Sequence, residues 1–259
     1  MHIVDQYAYG NRLTSVNPAY KAGLALIVIL LCLSLNHPLV GLTALVWMAG
    51  MTVLWAKVPA HVFAKVLLAE VSFLLLTTVG IAISVSLNAP DLDHFWGRQV
   101  GPFWLTTSSA SLYQASLLVS RAIGAASALN FLAFTTPLVD IVVLLRWCRL
   151  PEALIDVMVI MARFIFVLLD TLTGMVTAQE SRLGYHAGYR RGMSNAAHVG
   201  ARLFVNATQR SQRLETALRS RGYGESIRVI TPTYKPFPHY WLTLSTVILS
   251  LSTIYYWVH

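Results

Sequence analysis

The stretch that decides the fold is Ala153-Leu-Ile-Asp156-Val-Met-Val-Ile-Met-Ala-Arg163-Phe-Ile-Phe-Val-Leu-Leu-Asp170. It is long and apolar enough to cross a membrane, and its charges argue against a crossing. Asp156, Arg163 and Asp170 stand seven residues apart, so they form one narrow charged stripe on an otherwise apolar helix. At the centre of a span each charge would cost about 2.5–3.5 kcal/mol. A crossing here would also place Arg146 and Arg149 on the opposite side from the ten basic residues at 182–235. The segment 151–176 is therefore read as a helix lying against the membrane or buried in a cytoplasmic helical layer, with Arg163 forming an internal ion pair between the two Asp. The alternative is a sixth span.

The rest of the chain supplies the membrane context. Of its 259 residues, 56% are hydrophobic and 12% charged, the profile of a polytopic membrane protein. Apolar runs occupy roughly 22–36, 39–56, 62–87, 115–135 and 240–258. The first two sit near the lower limit of about 17–25 residues for a span. The first run begins about twenty residues in and is followed by others, the pattern of a first span and not of a cleaved leader. With the N-terminus in the cytoplasm, Lys57 and Lys65 fall inside and Asp91 and Asp93 outside, in a long loop at 88–114. The region 136–239, which holds 13 of the 19 Lys and Arg residues, then lies inside, as the positive-inside rule requires. The division is 1–135 as a membrane domain with four spans, 136–239 as a cytoplasmic helical domain, and 240–259 as a C-terminal span.

Within the cytoplasmic region the spacing predicts helices over 137–149, 151–182 and 194–222, with Thr136 as N-cap before Pro137 and with Gly188, Gly192 and Gly224 in the breaks. Two of these helices end alike. Thr177-Ala178-Gln179-Glu180-Ser181-Arg182-Leu183-Gly184-Tyr185 is echoed by Thr216-Ala217-Leu218-Arg219-Ser220-Arg221-Gly222-Tyr223. Ala and Arg four apart share a helix face, and a Gly just beyond the Arg is a helix stop. Each copy reads as a helix tip presenting one guanidinium, and two matched tips imply two matched receptors. The bland alternative is coincidence in an Arg-rich region.

Enzyme chemistry is not signalled. The chain has no GxxxxGK[ST] loop, no HExxH, no GxSxG, no CxxC and no His pair at helical spacing. Its two Cys, Cys32 and Cys148, form neither a disulfide framework nor a zinc site by number or spacing. Two charges fall inside spans, Glu70 and Arg121, and intramembrane ionisable groups default to a functional hypothesis with a named partner. The bland reading places them near a border or facing a bundle interior, with pairing between them one option. Ser120, Gly124 and Ala128 recur every four residues in the fourth run. Small residues at that spacing let helices approach closely, either within this chain or with another membrane subunit. The ten basic residues of 182–235 suit acidic grooves on a protein, with anionic lipid as a minor partner. Nucleic acid is excluded for want of a stacking platform or reading helix.

These residues resemble the T (transmembrane) subunits of energy-coupling-factor importers, most closely the CbiQ type of cobalt uptake systems. Four places carry the resemblance: Asp5-Gln-Tyr-Ala8-Tyr9-Gly-Asn11-Arg12-Leu13 with Asn17-Pro18 and Lys21; Phe134-Thr-Thr-Pro137 leading into Leu150-Pro151 and Arg163-Phe164; the two Arg tips; and a single closing span. Ser220-Arg221-Gly222 matches the family's Ala-Arg-Gly signature cleanly, whereas Leu183 separates Arg182 from Gly184 in the first copy. The resemblance implies an all-α polytopic membrane protein of about five spans, with a layer of coupling helices before the last. It also implies a non-catalytic subunit of the cell membrane of a prokaryote. Two ABC-type ATPases, which hold the ATP and Mg, would receive Arg182 and Arg221 beside Ala178, Ala217, Ser181, Ser220, Gly184 and Gly222. A metal-binding CbiM-like membrane subunit, with or without a small accessory membrane subunit, would capture cobalt or nickel. The chain itself would bind no cofactor or metal. The rival readings are a T subunit of a vitamin importer, and a membrane-embedded enzyme or scaffold using Glu70 and Arg121.

Overall fold

The computed structural model describes residues 3–82, 84–86, 94–100, 103–147, 150–182, 188–222, 234 and 240–258. Their elements run α1 (Ile3–Gly10), α2 (Pro18–Ser34), α3 (Pro38–Gly50), α4 (Ala60–Ala82), β1 (Ser84–Ser86), β2 (His94–Val100), β3 (Phe103–Ser108), α5 (Ser109–Thr135), α6 (Leu138–Trp147), α7 (Glu152–Ser181), α8 (Tyr189–Ser220) and α9 (Tyr240–Val258). The chain forms two compact units, one of Val4–Pro137 with Thr233–His259, the other of Met1–Ile3 with Leu138–Pro232.

The first unit is built on α5, against which α2, α3 and α4 pack, with α9 against α2 and α3. Local chemistry starts each helix. Asn17 caps α2 by accepting from the Ala19 amide at 3.0 Å, and Pro18 takes the first helical position, where its missing N–H costs nothing. His37 does the same for α3, its Nδ1 accepting from Leu39 N at 3.2 Å ahead of Pro38. The α3 helix runs into a π-helical turn, Met51–Trp55, and the chain breaks at Lys57, whose φ of 57° is left-handed.

Three stretches among the described residues are long and apolar enough to cross a membrane: Pro38–Trp55, Ala60–Gly80 and Ser109–Thr135. A fourth apolar helix, Pro18–Ser34, has 17 residues, and α9 has 19 with no charged residue. Their outward surfaces are apolar: Leu76 is 74% exposed, Leu54 73% and Phe73 66%. Such surfaces suit hydrocarbon and are costly in water.

Closest approach occurs where the small residues meet. Ser120, Gly124 and Ala128 are all buried, and a Cβ built on Gly124 would lie 2.9 Å from both Cys32 Sγ and Gly41 Cα. One built on Gly41 would collide with the Ser120 carbonyl. The Ser120 hydroxyl donates to the Pro38 carbonyl across the same crossing. This stripe packs within the chain, the first of the two readings its spacing allowed.

The end of α5 is held by two polar side chains from the N-terminal segment. The buried Asn11 amide donates to Phe134 O at 3.0 Å and to Ala8 O at 2.7 Å. The buried Lys21 ammonium donates to Thr135 O at 2.8 Å and Leu13 O at 3.1 Å. The last carbonyls of a helix have no intrahelical partner, and a cation there also meets the negative end of the helix dipole.

Other expectations are corrected. The loop at 88–114 contains strands: β3 pairs antiparallel with both β1 and β2, in the order β1-β3-β2. The aromatic and β-branched residues of Phe103-Trp104-Leu105-Thr106-Thr107 favour a pleated surface. Ser108 then caps α5, accepting from Ala110 N at 3.4 Å, so α5 begins at Ser109. Asn88 to Asp91 and Asp93 lie outside the described residues. Thr136 does not cap α6: its hydroxyl is buried without a hydrogen-bond partner, and α6 begins at Leu138. Gly192 lies inside α8, not in a break. The break residue is Gly188, at a φ of 94°. Gly224 lies outside the described residues.

In the second unit α7 packs against α6 and α8. Asp156 is buried and Arg163 and Asp170 are exposed, and among the described residues no ion pair joins Arg163 to either carboxylate. Seven residues amount to about 10 Å of helix rise, whereas side chains that meet on a helix are three or four apart. The expected internal ion pair is therefore not formed.

Two predictions follow from the first unit. Gly41→Leu overpacks the α3–α5 crossing and should destabilise the protein by at least about 1–3 kcal/mol, read as a lower midpoint of unfolding in detergent. Lys21→Met removes a charged donor from two carbonyls and should cost about 1.5–3 kcal/mol. The same measurement checks it, with Lys21→Arg recovering part of the loss.

Candidate functional site

The sequence echo is a structural echo. Arg182 is the C-cap of α7, at φ −95° and ψ 12°, and Arg221 is the C-cap of α8, at φ −91° and ψ 8°. In both, the hydroxyl one residue earlier turns back on its own helix: Ser181 Oγ donates to Thr177 O and Ser220 Oγ to Thr216 O, each at 2.8 Å. The threonines repeat the arrangement a turn earlier, Thr177 to Thr173 O and Thr216 to Gln212 O, each at 3.0 Å. Back-bonding of this kind satisfies the hydroxyls locally, within their own helices.

After Arg221 the chain stops in the expected way. Gly222 takes a φ of 72°, and its N–H reaches Arg219 O at 3.0 Å while Arg221 N reaches Ala217 O at 3.2 Å. Left-handed backbone of this kind favours glycine. Gly184, the corresponding residue of the first copy, lies outside the described residues.

Both guanidiniums are exposed, and neither forms an ion pair among the described residues. Their neighbour Arg219 is engaged instead, bound to Glu215 at 2.6 Å. Such an exposed i,i+4 pair contributes little stability, but it turns Arg219 away from the tip. Ala178 and Ala217 are exposed as well, so each Arg has open, small-residue surface beside it. Around the α8 tip this surface forms a shallow depression lined by Gln209, Gln212, Arg213, Thr216, Ala217 and Ser220. The arrangement can grip a carboxylate: a guanidinium offers a planar fork that binds both oxygens, which an ammonium cannot do.

The two intramembrane charges do not find each other. Arg121 donates to Asn36 Oδ1 through Nη2, while its Nε is buried without a partner. Glu70 accepts from Asn130 Nδ2 through both oxygens, at 3.0 and 2.9 Å. Sequence reasoning named the charges and missed the asparagines. An amide inside an apolar run was the signal available for Asn130, and nothing marked Asn36 as more than a turn residue. Among the described residues no group of three His, Cys, Asp or Glu side chains converges to hold a metal.

Helices of this length with apolar outer surfaces define a polytopic membrane protein, here carrying a second unit that ends two helices on matched arginines. The chain belongs to the CbiQ cobalt transport protein family, whose model matches residues 11–232. It is 28% identical over 255 residues to an uncharacterised protein of Methanocaldococcus jannaschii, covering 98% of this chain and 93% of that one. It is 34% identical over 180 residues to the cobalt transport protein CbiQ of Rhodobacter capsulatus, covering 70% of this chain and 67% of that one. A putative fused cobalt transport protein CbiMQ of Methanocorpusculum labreanum is 24% identical over 222 residues, 86% of this chain and 36% of that one.

The cap geometry makes a prediction. Gly222→Val should fray the end of α8 and cost about 1 kcal/mol or more locally. Faster amide hydrogen exchange across 216–222, with exchange in α5 unchanged, is the expected outcome.

Proposed function

We propose that this chain is the transmembrane coupling (T) subunit of an ATP-driven energy-coupling-factor importer for cobalt ions. It links two ABC-type ATPases to a metal-binding, CbiM-like membrane subunit. The observation that carries the reading is the pair of C-cap arginines, Arg182 and Arg221, with near-identical backbone angles and hydroxyl bonding. Two equivalent prongs fit two equivalent receptors, and acidic grooves on two copies of an ATPase are receptors of the right chemistry.

In this mechanism ATP and Mg stay on the ATPases. Each guanidinium docks beside Ala178 and Ser181, or Ala217 and Ser220, and holds a carboxylate. When ATP draws the ATPases together, the tips move with them, and α7 and α8 act as levers. Their lengths, 30 and 32 residues, correspond to about 45 Å each, enough to carry a displacement from tip to partner. Cobalt is favoured over nickel or a vitamin because the family and its named relatives are cobalt transport proteins. A fused CbiMQ relative supports a CbiM-like partner, since two functions joined in one chain elsewhere are partners of adjacent membrane domains. The basic bias of 136–239 supports a cytoplasmic N-terminus in a prokaryotic cell membrane. The chain is a non-catalytic subunit in this scheme, and the metal is cargo handled by its partner.

Arg221→Glu should abolish ATP-linked cobalt uptake, with at least a tenfold loss, while the chain still inserts and ATP hydrolysis by the ATPases persists. Arg182→Glu should act in the same direction. Uptake of radioactive cobalt by cells carrying the whole transporter, beside hydrolysis by the purified complex, is the measurement. Wild-type uptake in both variants would rule the coupling role out.

A further inference from the structure

We infer that Glu70, with Asn130, is the point at which a membrane-embedded cation of the CbiM-like partner attaches to α4; this rests on the importer reading above. Glu70 stands ten residues into the 23-residue α4, about 15 Å along its axis and so well within a span. A charge at such depth is costly unless it is paired. Among the described residues its one partner is the neutral amide of Asn130, whose Nδ2 is shared between both carboxylate oxygens at 3.0 and 2.9 Å. An ionised carboxylate offers about four acceptor positions, and the two bonds from one N–H₂ leave about half of them unfilled. The Asn130 side-chain oxygen also takes no hydrogen bond among the described residues. The spot is therefore rich in acceptors and short of donors.

The helix that carries Glu70 is also the least covered of the three long apolar stretches. Only 11% of its apolar stretch is buried within the chain, against 33% for Pro38–Trp55 and 44% for Ser109–Thr135. Glu70 itself is half-buried, reachable from the side of α4 that holds Ala69, Phe73 and Thr77. Those three share a face by their four-residue spacing and are all exposed, Phe73 by 66%. A helix lying along this face would bring a Lys, Arg or His side chain to the open carboxylate positions, and its apolar surface would pack on Phe73. Negative charge on one side and donor groups on the other set the register of the two membrane chains, the use of intramembrane ion pairs that is best supported.

The test uses the whole transporter, extracted in mild detergent and captured through a tag on this chain. Glu70→Gln keeps the shape and removes the charge. It should lower the amount of CbiM-like subunit retained by at least tenfold while the ATPases stay bound. A second measurement leaves Glu70 intact: Phe73 is replaced by photoreactive benzoylphenylalanine, and illumination should join this chain to the CbiM-like subunit. Wild-type retention by Glu70→Gln, or adducts with lipid alone, would overturn the inference. So would retention that a chelator abolishes, because a metal and not a side chain would then bridge the carboxylate. Failure of the wild-type chain to retain any CbiM-like subunit would instead remove the importer reading itself.

Discussion

The first unit depends on how the last carbonyls of α5 are satisfied. A helix that ends in or near a bilayer leaves carbonyl groups that water does not reach, and each unmet group costs several kcal/mol. Phe134 and Thr135 solve this with the Asn11 amide and the Lys21 ammonium. Both donors come from the other end of the membrane unit's sequence, more than a hundred residues earlier. The N-terminal segment is thereby part of the core and not a tail. Its polar residues are buried because the backbone of α5 needs them.

With its end fixed, α5 serves as the post around which the other spans are arranged. Helices in lipid gain little from apolar burial against each other, so close packing must hold them. The Gly41–Gly124 crossing supplies that, bringing backbone against backbone with no room for a single added carbon. On the other side α4 is joined to α5 by the Glu70–Asn130 hydrogen bonds and is otherwise thinly covered. The same post thus has one tightly packed side and one polar, open side.

The second unit works by different chemistry. Two of its helices, α7 and α8, end on exposed arginines, and their local geometry is set by residues within five positions of the tip. Hydroxyl back-bonding, a C-cap near φ −90° and, at Gly222, a left-handed glycine need no distant partner. That self-sufficiency allows the same device to be used twice in one chain, and it keeps the guanidiniums free for another molecule.

The sequence by itself determined whatever depends on composition and short spacing. Apolar run length marked the spans, and the Thr-Ala-x-x-Ser-Arg echo marked two equal tips. These are local effects, governed by backbone geometry and hydration of a few neighbouring residues. Only the tertiary structure decided what long-range contacts control. It placed Lys21 and Asn11 on α5, turned the small-residue stripe inward onto Gly41, gave Glu70 to Asn130 and Arg121 to Asn36, and left Arg163 unpaired among the described residues. A polar side chain in an apolar chain takes the nearest donor or acceptor in space, and that neighbour is fixed by helix packing, which sequence spacing does not encode.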